Sequence, residues 1–175
     1  PAVFGGATVA WMNEETSEVG SVRLTPPEGI SPVAFIPDFE LRTAAARAAL
    51  PATVPHGDAS FNVARGALLA AVLSGNAQAS GGADLHSLLM EATRDRLHQE
   101  QRRAAMEPSL ALVDWLRGAG FAAVVSGAGP TVLSLESVGA DIRRDAAAAG
   151  WLVVPMGVAP QGVQITRGSL SKVEF

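Results

Sequence analysis

The chain contains no cysteine. That excludes a disulfide framework, a thiolate metal site and a cysteine nucleophile, and it is compatible with a reduced, cytoplasmic setting. Charge is also scarce. Charged residues make up 17% of the 175, the net charge is −4 and the sequence pI is near 5.3. This balance argues against nucleic acid or an anionic membrane surface as the main partner. A phosphate ligand stays open, because backbone amides and a few arginines suffice for one. No apolar run approaches the ~20 residues that cross a bilayer. No charged segment leads into an apolar one at the start, as in a secretory signal. His56, His86 and His98 lack helical or zinc-type spacing to carboxylates, so no metal centre is expected. There is no internal repeat. There is also no initiating methionine: the chain starts at Pro1, and its first ten residues read like the interior of a fold. The expectation is the C-terminal portion of a longer polypeptide.

What is present is apolar. Hydrophobic residues are 48% of the chain, enough for a sizeable core. Ala2 to Trp11 reads as a strand interrupted by Gly5-Gly6, with Val19 to Leu24 as its hairpin partner and Asn13 to Thr16 as the turn. Pro26-Pro27-Glu28-Gly29 breaks the pattern. Pro32 to Pro37 is a short strand. Asp38 and Glu40 precede an Ala-rich helix, Leu41 to Leu50, and read as its caps. After a loop over Pro51 to Gly57, Asp58 caps a helix running to Leu73, with Phe61, Ala64, Leu68, Leu69 and Val72 on one face. Asn62 and Arg65 share a neighbouring face.

Gln78 to Gly82 reads as a loop and Asp84 to His98 as a second amphipathic helix. Arg94, Arg96, Arg102 and Arg103 cluster near its end. A dipole-stabilising role and a projection into a substrate site are both open for them. His98 has no nucleophile or carboxylate partner in view and reads as structural. Pro108 to Leu116 is a short helix burying Leu112, Trp115 and Leu116, closed by Gly118 or Gly120. Asp141 to Ala149 is another. Trp151 to Gly157 and Val163 to Thr166 read as closing strands, with a tail from Arg167 to Phe175.

Between those last helices lies Val124 to Leu133. Two apolar strands, Phe121 to Val125 and Thr131 to Leu135, flank Ser126-Gly127-Ala128-Gly129-Pro130. An ordinary turn explains one glycine and the proline. A row of tiny side chains also lets another backbone, or a phosphate, approach the main chain.

Ser126-Gly127-Ala128-Gly129-Pro130-Thr131 resembles the C-terminal signature of the GHMP small-molecule kinases. Phe35 to Ala44, Asp58 to Arg65 and Asp95-Arg96-Leu97-His98-Gln99-Glu100-Gln101-Arg102 narrow the resemblance to the homoserine kinase family. In the last of these, Glu100 and Gln101 stand where the family carries Pro and Tyr. The resemblance runs in the family's order from the first residues to about Gly168.

It implies an α+β fold: a ferredoxin-like GHMP kinase C-terminal domain over residues 30–168, preceded at 1–29 by strands ending a ribosomal-S5-like N-terminal domain, and followed by a tail at 169–175. It implies ATP and Mg²⁺ as cofactors, with the metal's ligands in a part of the family not represented here, and L-homoserine as substrate. Arg65 and Arg102 would hold the substrate carboxylate and Asn62 would support that pocket. Ser126, Gly127, Ala128 and Gly129 would lie beside the nucleotide phosphates. The family's phosphate loop, of Pro-x-x-x-Gly-Leu-Gly-Ser-Ser-Ala type, does not occur in these residues, so no catalytic residue is assigned and the chain alone is expected to be inactive. The family tends to form homodimers. Another GHMP kinase, acting on an isoprenoid alcohol or a sugar, and a non-catalytic amino-acid-binding module remain as alternatives.

Overall fold

Alternating apolar residues on three short segments meet in the centre of the molecule. In the computed structural model, which describes residues 5–162, the strands are β1 (Ala7–Met12), β2 (Val19–Leu24), β3 (Val33–Ile36), β4 (Ala123–Val125), β5 (Val132–Ser134) and β6 (Leu152–Pro155). The helices are α1 (Thr43–Ala48), α2 (His56–Leu73), α3 (Leu85–Ala92), α4 (Glu107–Gly118) and α5 (Ala140–Ala148), with 3₁₀ turns at Ser80–Gly82 and Glu100–Ala105. The expected strand at Val163–Thr166 and the tail lie outside the described residues.

β1 and β2 form a two-stranded antiparallel sheet. The other four strands form an antiparallel sheet in the order β4-β5-β3-β6. Taken from β3, that is strand, helices, strand, strand, helix, strand, with the first strand between the third and fourth. This is the ferredoxin-like split arrangement.

The pleat divides the sheet's side chains. Val33, Phe35, Ala123 and Val132 share one face and pack with Leu112, Val113 and Leu116 of α4 and Ala146 of α5. Phe35, Leu116, Ala123 and Val132 are fully buried. Val124 and Leu133 point the other way. At that margin α2 and α3 meet the sheet through Val72 and Leu89, which cluster with Ala122 and Leu135. Gly120, at φ +88°, closes α4 in a Schellman motif: Phe121 N–H donates to Leu116 O and Gly120 N–H to Arg117 O.

Several local expectations need correction. α2 starts at His56, because the Pro55 carbonyl takes the first helical bonds, from Asp58 and Ala59. Asp58 is therefore in the first turn and caps nothing with its side chain. α1 starts at Thr43 with no side-chain cap, so Asp38 and Glu40 are not caps either. α3 is capped by Asp84, which accepts from Ser87 N–H at 2.8 Å, and it runs over Leu85–Ala92 rather than on to His98. Trp115 is 40% exposed, and Leu110 and Val113 take the buried face of α4 with Leu112 and Leu116.

Candidate functional site

Ser126 to Thr131 turns the chain from β4 into β5. Ser126 N–H donates to Thr131 O at 2.8 Å and Gly129 N–H to Ser126 O at 3.0 Å. The two glycines meet different demands. Gly129 has φ +84°, and a Cβ there would lie 2.8 Å from Sδ of the buried Met106 and 3.0 Å from Val125 Cγ1. Its smallness serves core packing. Gly127 has φ +61° and a Cβ there would meet nothing within 4 Å. Among the described residues the N–H groups of Gly127 and Ala128 have no hydrogen-bond partner. Two adjacent free amides on an open turn are suited to an anion.

The stretch after α3 builds the second wall. Beyond the end of α3 the Asp95 carboxylate collects the amides that follow it: Leu97 N–H at 3.3 Å, His98 N–H at 2.8 Å and Gln99 N–H at 2.7 Å. Burial pushes the Asp95 carboxyl up, but the bonds from Gln99, Asn62, His98 and Leu97 outweigh it, and the net displacement is below the usual carboxylate value. Gln99 Oε1 accepts from Val125 N–H at 2.7 Å, tying the loop to β4. One short turn later, Arg102 Nη1 donates to Gly127 O at 3.1 Å. Arg102 Nε is buried without a partner among the described residues.

Between these walls lies an open cavity of about 570 Å³. Leu69, Leu73, Val124, Leu133 and Leu135 supply its apolar lining. Asp95, His98, Gln99, Arg102, Ser126 and Gly127 supply its polar lining.

Of the residues singled out in the sequence, Arg102, Ser126 and Gly127 line this cavity, and Ala128 and Gly129 continue the same turn. Asn62 sits behind the wall: its Nδ2 donates to Asp95 Oδ1 at 2.6 Å and its Oδ1 accepts from Arg96 N–H at 2.9 Å. Arg65 lies further along α2. It pairs with Glu91 and stacks on Phe61, its guanidinium carbon 3.8 Å from the ring centroid. Glu91 also accepts from Arg94, which lines the cavity. Arg65 Nε, like that of Arg102, is buried without a partner among the described residues.

Asp95 and Gln99 fall in the segment that carries the resemblance but were given no site role, and Glu91 was not singled out. Nothing local marks Gln99 or Glu91, whose partners lie on other elements.

Residues 69–149 match the family model described as GHMP kinases C terminal. The chain is 41% identical over 164 residues to the homoserine kinase of Streptomyces coelicolor, covering 93% of this chain and 50% of that protein. It is 45% identical over 137 residues to that of Clavibacter michiganensis, covering 78% and 40%. The chain thus spans about half the length of the curated relatives it matches. Among solved structures, homoserine kinase from Cytophaga hutchinsonii superposes with a TM-score of 0.73 at 21% identity, over 93% of this chain and 51% of that one. A putative homoserine kinase from Listeria monocytogenes superposes with 0.62 at 24%, over 96% and 54%. At those identities the structures show a shared fold.

Proposed function

We propose that the chain is part of an ATP-dependent homoserine kinase of the GHMP kinases, a reading supported by the match of residues 69–149 to the model of that family's C terminus and by the homoserine kinases it resembles over about half their length. The reaction moves the γ-phosphoryl group of ATP onto the side-chain hydroxyl of L-homoserine, giving O-phospho-L-homoserine on the route to threonine. One observation carries this reading: Arg102 reaches Gly127 O beside two unpartnered amides, at the rim of a cavity of small-molecule size.

In the transfer, the hydroxyl oxygen bonds to the γ-phosphorus as the bond to the β–γ bridging oxygen breaks, and the hydroxyl proton leaves. Catalysis of this kind rests on positioning and on charge stabilisation. The amides of Gly127 and Ala128 suit a phosphate oxygen. Arg102 suits the substrate carboxylate, because a buried Nε–H without an acceptor favours a ligand that supplies one. Arg65 is the second carboxylate candidate, exchanging or sharing Glu91 for the substrate. Among the described residues no three His, Cys, Asp or Glu side chains converge as a metal site.

Arg102→Ala, made in the polypeptide at the full length of its relatives, is expected to raise the homoserine KM roughly 10–100-fold, the equivalent of one lost charged hydrogen bond, and to leave the ATP KM nearly unchanged. Preferred phosphorylation of an isoprenoid alcohol or a sugar would overturn the substrate assignment. Homoserine binding without nucleotide binding would replace the kinase reading with a ligand-binding module.

A further inference from the structure

Asp95 lines the cavity, yet it has no capacity left for a ligand. A carboxylate offers about four acceptor positions, and four donors occupy them: Asn62 Nδ2, Leu97 N–H, His98 N–H and Gln99 N–H. Asn62 is turned to the same loop, its Nδ2 donating to Asp95 and its Oδ1 accepting from Arg96 N–H. From this pair the contacts run outward to the site. Gln99 Oε1 holds Val125 N–H, the last residue of β4 before the turn. Gln99 O accepts Arg102 N–H at 3.0 Å, and Arg102 Nη1 reaches Gly127 O. Gln101 Nε2 closes the loop on Arg96 O at 2.7 Å.

We propose that Asp95 is a positioning residue of this site: its carboxylate shapes the loop that delivers Arg102 to the Gly127 turn, and Asn62 serves Asp95 rather than the substrate. The proposal rests on the homoserine kinase reading only for the identity of the substrate. Because every lone pair of Asp95 is engaged, it neither takes the hydroxyl proton nor holds a metal. Its effect on the reaction passes through Arg102.

Two measurements on Asp95→Ala, Arg102→Ala and the double variant test this. Amide hydrogen exchange on the chain should show Leu97, His98, Gln99, Arg102 and Val125 exchanging at least ~10-fold faster in Asp95→Ala, as each loses or loosens its acceptor, whereas Arg102→Ala leaves Leu97 to Gln99 protected. In the full-length kinase, Asp95→Ala should raise the homoserine KM, and adding it to Arg102→Ala should raise it no further, the non-additivity of groups acting in series. Asp95→Asn, which keeps one acceptor oxygen, should recover part of the loss. Wild-type exchange at Val125 and Arg102 in Asp95→Ala, or additive KM effects, would overturn the positioning role. Should Asp95→Ala not fold, Gln99→Ala carries the same exchange test, at Val125 and Arg102. If the wild-type enzyme ignores homoserine, the substrate reading fails on its own and the exchange result still decides the loop.

Discussion

Gly129→Ala separates the two roles that a row of small residues can have. An alanine at φ +84° adopts a left-handed conformation, costing about 1–2 kcal/mol. Its new methyl would also lie 2.8 Å from Met106 Sδ, 2.9 Å from Met106 Cε and 3.0 Å from Val125 Cγ1. The thioether end is flexible, but Met106 is only 1% exposed and packs with Ala46 and Leu110, so it has little room to yield. Overpacking adds about 1–2 kcal/mol, the lower part of the usual range. The expected total is about 2–4 kcal/mol, or a Tm lower by roughly 5–10 °C at this chain length. Gly127→Ala incurs the backbone cost alone, about 1–2 kcal/mol, since a Cβ there meets nothing within 4 Å. Urea unfolding of wild type, both variants and Met106→Ala gives the comparison. Gly129→Ala combined with Met106→Ala should be less than additive, because the shortened side chain makes room for the methyl. Equal costs at the two glycines, together with full additivity, would refute the packing account of Gly129.

The remaining predictions concern the elements that frame the cavity. Arg117 donates to Met90 O at 2.7 Å, Thr93 Oγ1 at 2.9 Å and Ala123 O at 3.3 Å, joining α3, α4 and β4. Arg117→Ala should cost about 2–4 kcal/mol in denaturant unfolding by stranding those acceptors, and Arg117→Lys should recover little, because an ammonium cannot reproduce the planar fork. Asp95, held below the ordinary carboxylate value of 3.8, stabilises the folded state fully above that value and loses its contribution as pH falls through its folded pKa. Thermal stability should therefore drop more steeply below about pH 4 in wild type than in Asp95→Asn, a difference that melts across an acid pH series would read.

Much of the fold was legible because it rests on local pattern. The hairpin of β1 and β2 and the strands either side of the small-residue turn follow from alternation and glycine placement within a few residues. Where reading the chain failed, a competing bond had won. Past α3, the Arg96 amide goes to Asn62 and those of Leu97 to Gln99 go to Asp95, so the helical ladder expected as far as His98 is not formed. Trp115 is exposed because Leu110, Leu112, Val113 and Leu116 already fill the side of α4 that meets the sheet.

The site divides in the same way. Sequence alone determined which residue types are available: a turn of tiny residues, arginines on two segments, no thiol and no apolar span of membrane length. Those follow from composition and from neighbours along the chain. Which arginine meets the turn was decided only by the tertiary structure. Residues 102 and 127 come together because Asp95, Gln99 and Val125 fix the loop against β4, while Arg65 is held on α2 by Glu91 and Phe61. Such contacts join positions far apart in the chain, and only folding brings their partners within bonding distance.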